Sequence, residues 1–348
     1  MKLAQSPQAE KALKLVKKLQ AKMKTELEAT SQALGTPSDF QPVHWLRDGG
    51  DHGGGDRLVA PTGEMFNRGS VNVSQVQYED DPNKRLASAT ALSTIIHPHN
   101  PLAPSVHMHI SWTESKNGSG YWRMMADLNP SIPHQSSQER FIKVLRDSVP
   151  GEVVQAGLDD GDRYFYIPAL ERHRGVAHFY LENFNRGDWD TDHQVAETLG
   201  TNVINLYAQI IKDRISECPD PKPEDFEAQL AYHSLYLFQV LTLDRGTTSG
   251  ILVHDQNDLG IMGSLPSHVN QKLLESWQSK LPKPQDQLLS AICGCLETGE
   301  KSAVNDDVKL KLAQAVRAHY QKNPEALKLQ AAGSVIPPTV ANHANGQP

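Results

Sequence analysis

The chain is poor in cysteine, has no long apolar run and carries no excess of positive charge. Among 348 residues there are three cysteines, Cys218, Cys293 and Cys295. An odd count, with two of the three only two positions apart, argues against a disulfide framework and for reduced thiols in a cytoplasmic protein. No second cysteine pair or adjacent histidine completes a zinc set around Cys293 and Cys295. Basic residues number 34 against 41 acidic ones, a net charge of −7, so no global field favours nucleic acid. No apolar stretch approaches the roughly 18 residues of a membrane span. The start, MKLAQSPQAEKALKLVKK, lacks the apolar core and small-residue cleavage site of a secretory signal.

The periodicities that are present describe one α+β domain on an antiparallel sheet, with no internal repeat and no central linker. Leu13, Val16, Leu19 and Met23 recur at helical spacing within 8–35, giving an N-terminal helix (residues 1–36) closed by Gly35 and Pro37. The glycine cluster DGGDHGGGDR, 48–57, predicts loop. Alternating or β-branched stretches predict strands at 70–78, 89–97, 106–112, 121–127 and 176–182. Helices are expected at 135–148, 191–217, 223–234, 267–281 and 306–322, with strands at 235–243 and 250–253 and a disordered tail over 331–348.

Four of the fifteen histidines fall in IIHPHNPLAPSVHMHISW, residues 95–112, as the pairs His97/His99 and His107/His109. Residues two apart in a strand share a face, and Pro98, Pro101 and Pro104 keep the connection from being helical. A cluster of imidazoles at one end of a sheet suits a divalent metal or proton transfer near neutral pH. The alternative is a set of edge-strand histidines with no function. A metal would draw on His97 and His107, with His99, His109 and His173 as alternates and His134 and His178 nearby.

His97-Pro-His-Asn-Pro-Leu-Ala-Pro-Ser-Val-His107 resembles the H-P-x-N-P-x-x-P-x-x-H signature of oxygen-dependent coproporphyrinogen III oxidases. Further segments resemble that family in order. They are Trp45-Leu46-Arg47 with Gly53-Gly54-Gly55, Val71-Asn72-Val73-Ser74, Asp127-Leu128-Asn129-Pro130, Tyr164-Phe165-Tyr166 with Arg174-Gly175, Asp244-Arg245-Gly246-Thr247 and Ser264-Leu265-Pro266. The resemblance assigns 37–330 to a catalytic domain and implies a large antiparallel sheet with helices on both faces, in a homodimer. It implies conversion of two propionates of coproporphyrinogen III to vinyl groups by dioxygen, giving protoporphyrinogen IX. No organic cofactor is implied; a divalent metal such as manganese is left open.

On that resemblance Asp127 stands near the pyrrole N–H groups, His107 moves protons beside oxygen, and Arg174 pairs with a propionate. Ser93 stands four before His97, as in the family, and is a further substrate contact; Arg57 and Arg245 are either carboxylate contacts or turn caps, and Gly53–Gly55 let backbone approach a flat macrocycle or offer N–H groups to an anion. The departures concern carboxylate binding. The family arginine four residues after the second histidine is Ser111 here, glycines before Asp127 are Met124 and Met125, and a substrate-loop arginine is lost in His254-Asp255-Gln256. Arg123 could restore a positive charge. Two other functions fit the same residues: a non-catalytic tetrapyrrole- or metal-binding protein, and a histidine-cluster metalloenzyme with another substrate.

Overall fold

A computed structural model describes residues 1–336 and Val340. Its centre is a seven-stranded antiparallel sheet in the order β1-β2-β3-β4-β5-β6-β9. The strands are β1 (Gln41–Leu46), β2 (Gly53–Ala60), β3 (Phe66–Gln77), β4 (Leu86–Pro98), β5 (Ser105–Ser115), β6 (Gly120–Asn129) and β9 (Ala177–Phe184). A two-residue ribbon, β7 (Tyr166–Ile167) with β8 (Arg172–His173), stands beside them.

The sheet separates two layers because its strands alternate. Val71, Leu92, Met108, Ile110, Met124, Ala126 and Leu128 bury one face against α1 (Pro7–Ala33), α2 (Gln135–Asp147) and α4 (Trp189–Glu217). α1 starts at Ser6, whose Oγ accepts from the Ala9 N–H at 3.0 Å. α3 (Gly151–Phe165) packs along β9 and covers that edge of the sheet.

The opposite face is roofed by α5 (Pro223–Thr242), α6 (Arg245–Val253) and α7 (Asp258–Ile261). Behind them α8 (Gln271–Ser276), α9 (Gln285–Gly294) and α10 (Asp306–Lys322) complete a second apolar core. The expected architecture, one α+β domain with an antiparallel sheet between helical layers, is the one observed. Among the described residues no helix is long and apolar enough to cross a membrane.

Several segments differ from expectation: the helix expected over 267–281 is a two-residue strand (His268–Val269), the short α8 and a 3-10 turn (Gln278–Lys280), and α3 and α9 were not expected. Residues 235–243 are not a strand: α5 runs to Thr242, and Leu235, Leu237, Phe238 and Leu241 are buried around it. A helix enclosed on all sides loses its amphipathic signature and reads as an apolar run. Residues 250–253 are the end of α6 rather than a strand. Gly53–Gly55 are not loop but the start of β2: all three pair with β3, and Gly54 and Gly55 with β1 as well. There a Cβ on Gly55 would lie 2.3 Å from the Val73 carbonyl oxygen and 2.6 Å from Trp45 Nε1, so the absent side chain admits Trp45 rather than a macrocycle.

Within 331–348, the Ala331 N–H donates to the Leu243 carbonyl at 2.9 Å. Ser334 donates through N–H (2.8 Å) and Oγ (2.6 Å) to Asp160. Residues 337–339 and 341–348 of that stretch lie outside the described residues.

Candidate active site

Cross-strand register assembles the floor of a cavity on the roofed face. One row runs Ser70, Ile95, His107, Asp127; the next runs Arg57, Asn72, Ser93, His109, Met125; a third runs Ser74, Ala91, Ser111, Arg123. Tyr236 and Val240 of α5, Asp244 before α6, and His254, Ile261 and Ser264 after it face this floor. The cavity leaves about 290 Å³ for the centres of water molecules, so the van der Waals space is larger. Its lining reaches from Trp45 on β1 to Tyr121 and Arg123 on β6, five strand spacings or about 24 Å. Met124 points into the opposite core, so only Met125 of the two glycine replacements takes space here.

His107, Asp127 and Arg174 meet at one end of this floor. Asp127 Oδ1 lies 2.8 Å from His107 Nδ1, and Oδ2 accepts from Arg174 Nη2 at 2.8 Å and from Asn129 Nδ2 at 2.5 Å. Arg174 is brought across 47 positions of sequence by the turn at Gly175, whose φ is +83°. A Cβ on Gly175 would sit 2.5 Å from Asn129 Oδ1, so only glycine lets this turn close onto β6. Arg174 Nη1 donates to Gln239 at 2.6 Å, and its guanidinium lies between the rings of Phe165 (4.6 Å) and Tyr236 (5.0 Å).

Burial by itself raises the Asp127 carboxyl, but Arg174 and then His107 and Asn129 outweigh it and hold it far below its ordinary value of 3.8. Asp127 is therefore ionised, and His107 must present Nδ1–H to it. In the neutral tautomer Nε2 is then the acceptor, on an imidazole that lines the cavity. Asp127 itself is fully buried and not part of the lining. It stands behind His107, instead of meeting pyrrole N–H groups directly. Arg174 is spent on Asp127 and Gln239 in place of a propionate fork; its Nε is buried without a partner.

The remaining expected residues divide. Ser93 and His109 line the cavity. Burial, with Arg123 and His107 adding to it, keeps His109 well below 6.5 and neutral. Arg245 turns away: its Nε and Nη2 donate to the Ala331 and Leu327 carbonyls at 3.3 and 3.4 Å. Arg57 stands at the β2 side beside Gly263. His97 is fully buried among Tyr232, His233 and Tyr236, with Nδ1 2.8 Å from Ser105 Oγ. His99, past the end of β4, is exposed beside Phe226. His173 is exposed and stacks on His178, which pairs with Asp162 at 2.7 Å. His134 is the N-cap residue of α2, with Nδ1 2.8 Å from Ser137 Oγ.

These imidazoles therefore do not fit a resident metal. His97 and His99 have separate surroundings, and His107 Nδ1 is taken by Asp127. Among the described residues no three His, Cys, Asp or Glu side chains are grouped to hold an ion.

Sequence reasoning missed the acidic partners of the cavity wall. Arg123 Nε donates to Glu182 Oε2 at 2.5 Å, and the Tyr180 hydroxyl donates to the same oxygen. Tyr164 OH donates to Asp244 at 2.9 Å. His254, in the altered substrate loop, is held by Arg47, which also donates to the Val253 carbonyl at 2.9 Å. Only the alternation of β9 hinted at Tyr180 and Glu182; Arg47 and His254 are 207 positions apart and left no local signal.

A family model described as coproporphyrinogen III oxidase matches residues 11–293. The chain is 28% identical over 249 residues to an oxygen-dependent coproporphyrinogen-III oxidase of Rickettsia akari, covering 67% of this chain and 85% of that protein. It is 28% identical over 266 residues to the protein so named from Prochlorococcus marinus, covering 65% and 76%. A Rickettsia bellii protein of the same name gives 28% over 247 residues, covering 67% and 85%.

Proposed function

This chain belongs to the coproporphyrinogen III oxidase family, and we propose on that footing that it oxidatively decarboxylates coproporphyrinogen III to protoporphyrinogen IX in haem biosynthesis. For each of two propionates, one carboxylate leaves as carbon dioxide and the adjacent carbons become a vinyl group. The two electrons and one proton released, together with one proton from solvent, reduce dioxygen to hydrogen peroxide.

The observation that carries this reading is the Arg174–Asp127–His107 relay ending at a cavity. A reduced pyrrole reacts readily with oxygen, so the protein's task is positioning and proton transfer. His107 Nε2 accepts a proton from the bound ring system, and the positive charge then formed is stabilised by ionised Asp127 2.8 Å away. Asp127 and Arg174 act as positioning residues: they fix the imidazole's tautomer and orientation. The lost carboxylate-binding position at Ser111 is answered by Arg123, its cross-strand partner.

The same reading carries a homodimer and a cytoplasmic location. Support for the former is the open edge strand β1, where Val43 and Leu46 are 39% and 49% exposed; light scattering on the purified chain tests it. For the activity, coproporphyrinogen III prepared without oxygen is mixed with enzyme in air. Carbon dioxide release with protoporphyrin after oxidation supports the assignment. Tight porphyrin binding without turnover would place the chain among non-catalytic relatives.

A further inference from the structure

We propose that Arg57, Arg68 and Lys309 form an anion subsite at the β2 end of the cavity, built to take a carboxylate. On the reading above, that carboxylate is a propionate of the tetrapyrrole, and the assignment of source rests on that reading.

Three chain segments contribute: β2 pairs with β3, and both β3 and α10 pack on the turn Met262–Ser264, close enough for Lys309 to feel the charges of Arg68 and Arg57. Arg57 comes from β2, Arg68 from β3 and Lys309 from the first turn of α10. Lys309 is 7% exposed in its side chain, and its Nζ lies 2.9 Å from Asp306 Oδ1. Arg68 Nε donates to the Leu265 carbonyl at 3.0 Å. Against these three cations the group holds one acid, Asp306, whose side chain is 72% exposed and already paired with Lys309.

Arg57 carries the unmet demand. Its Nε and Nη1 are buried and neither has a hydrogen-bond partner. A solvated basic patch would leave those N–H groups to water. Here those N–H groups are buried, and buried donors are normally matched by an acceptor, which a carboxylate entering beside Arg57 would supply. Burial lowers the Arg57 guanidinium, Asp306 opposes this and Arg68 adds to it. A bound anion would relieve both the desolvation and the repulsion between like charges.

The group adjoins the cavity. A Cβ on Gly263 would lie 3.3 Å from Arg57 Nη1 and 3.6 Å from Ser70 Oγ. Ser70 and Ser264, on either side of that point, both line the cavity. Arg123 lies four strands away on β6, about 19 Å. A flat ligand with carboxylates around its rim would meet Arg57 at one end and, at the other, Arg123 held by Glu182.

The test uses coproporphyrin III, the oxidised and unreactive tetracarboxylate, and its tetramethyl ester as probes in fluorescence titrations. Wild type, Arg57→Gln and Arg57→Lys are compared, and thermal shift with added acetate is measured on each. Arg57→Gln is expected to bind the free acid about ten-fold more weakly, with the ester unchanged and Arg57→Lys intermediate. Porphyrin binding that ignores Arg57, in a folded variant that acetate stabilises as it does wild type, would overturn the subsite. If no variant binds porphyrin but acetate stabilises wild type and not Arg57→Gln, the anion site stands and the tetrapyrrole reading fails. Indifference to both probes overturns both.

Discussion

Ser111 and Arg123 stand directly opposite each other on β5 and β6. The guanidinium that the family resemblance places at position 111 is thus absent from one strand and present on its neighbour, on the same face and at the same level. The shift is one strand spacing, about 5 Å. Glu182 and Tyr180 hold it there. Burial disfavours the charge on Arg123, but Glu182 more than offsets this and keeps the guanidinium protonated.

If Arg123 replaces the missing cation, Arg123→Gln raises KM for coproporphyrinogen III by about ten-fold or more, the worth of one charge-assisted bond. Adding Ser111→Arg to that variant recovers most of the loss. Steady-state kinetics on the single and double variants decide it; a KM unchanged by Arg123→Gln removes the residue from substrate binding.

His107→Asn keeps an amide N–H near Nδ1 for Asp127 but removes the acceptor on the cavity side. Turnover should fall roughly 10²- to 10⁴-fold while the urea midpoint stays close to that of wild type. His107→Ala should lose both. Retained turnover in the asparagine variant would show that His107 only fills space.

His233 is buried beside His97 at 5.2 Å between ring centroids, and burial, with His268 adding to it, pushes it down to about 3. The unfolded chain therefore binds this proton first. Stability is full above pH 6.5 and falls below it by about 1.4 kcal/mol per pH unit for each such histidine, until the folded value is reached. Denaturant unfolding between pH 7 and 4.5 should show a shallower slope for His233→Asn than for wild type. Equal slopes would mean that His233 is protonated in the fold.

Since the histidines do not converge, exhaustive treatment with a chelator is expected to leave turnover unchanged. Loss of activity that manganese or another divalent ion restores would reveal ligands supplied by some other arrangement.

The sheet and its two faces were legible because alternation is local. Met108 and Ile110 fall to one side of β5 and His107 and His109 to the other, and the same period carries Asp127 and Arg123 on β6. The triad was nameable from motif order. Its internal arrangement was not, since Arg174, 47 positions along the chain, reaches Asp127 only through a glycine turn. That contact converts Asp127 from a substrate-facing group into a buried support. The pairing of Ser111 with Arg123 was equally hidden: it depends on the register set by the turn after Ser115. The histidine pair 97/99 misled because Pro98 ends β4 and sends the second imidazole to the surface.

The proposed chemistry depends most on Asp127 acting through His107. Asp127→Asn, assayed beside wild type for coproporphyrin III binding and for turnover of coproporphyrinogen III, tests that directly. The expected result is binding within a few-fold of wild type, with turnover lower by roughly 10²-fold or more as the imidazole loses its fixed tautomer. Turnover equal to wild type in a correctly folded Asp127→Asn protein would contradict it.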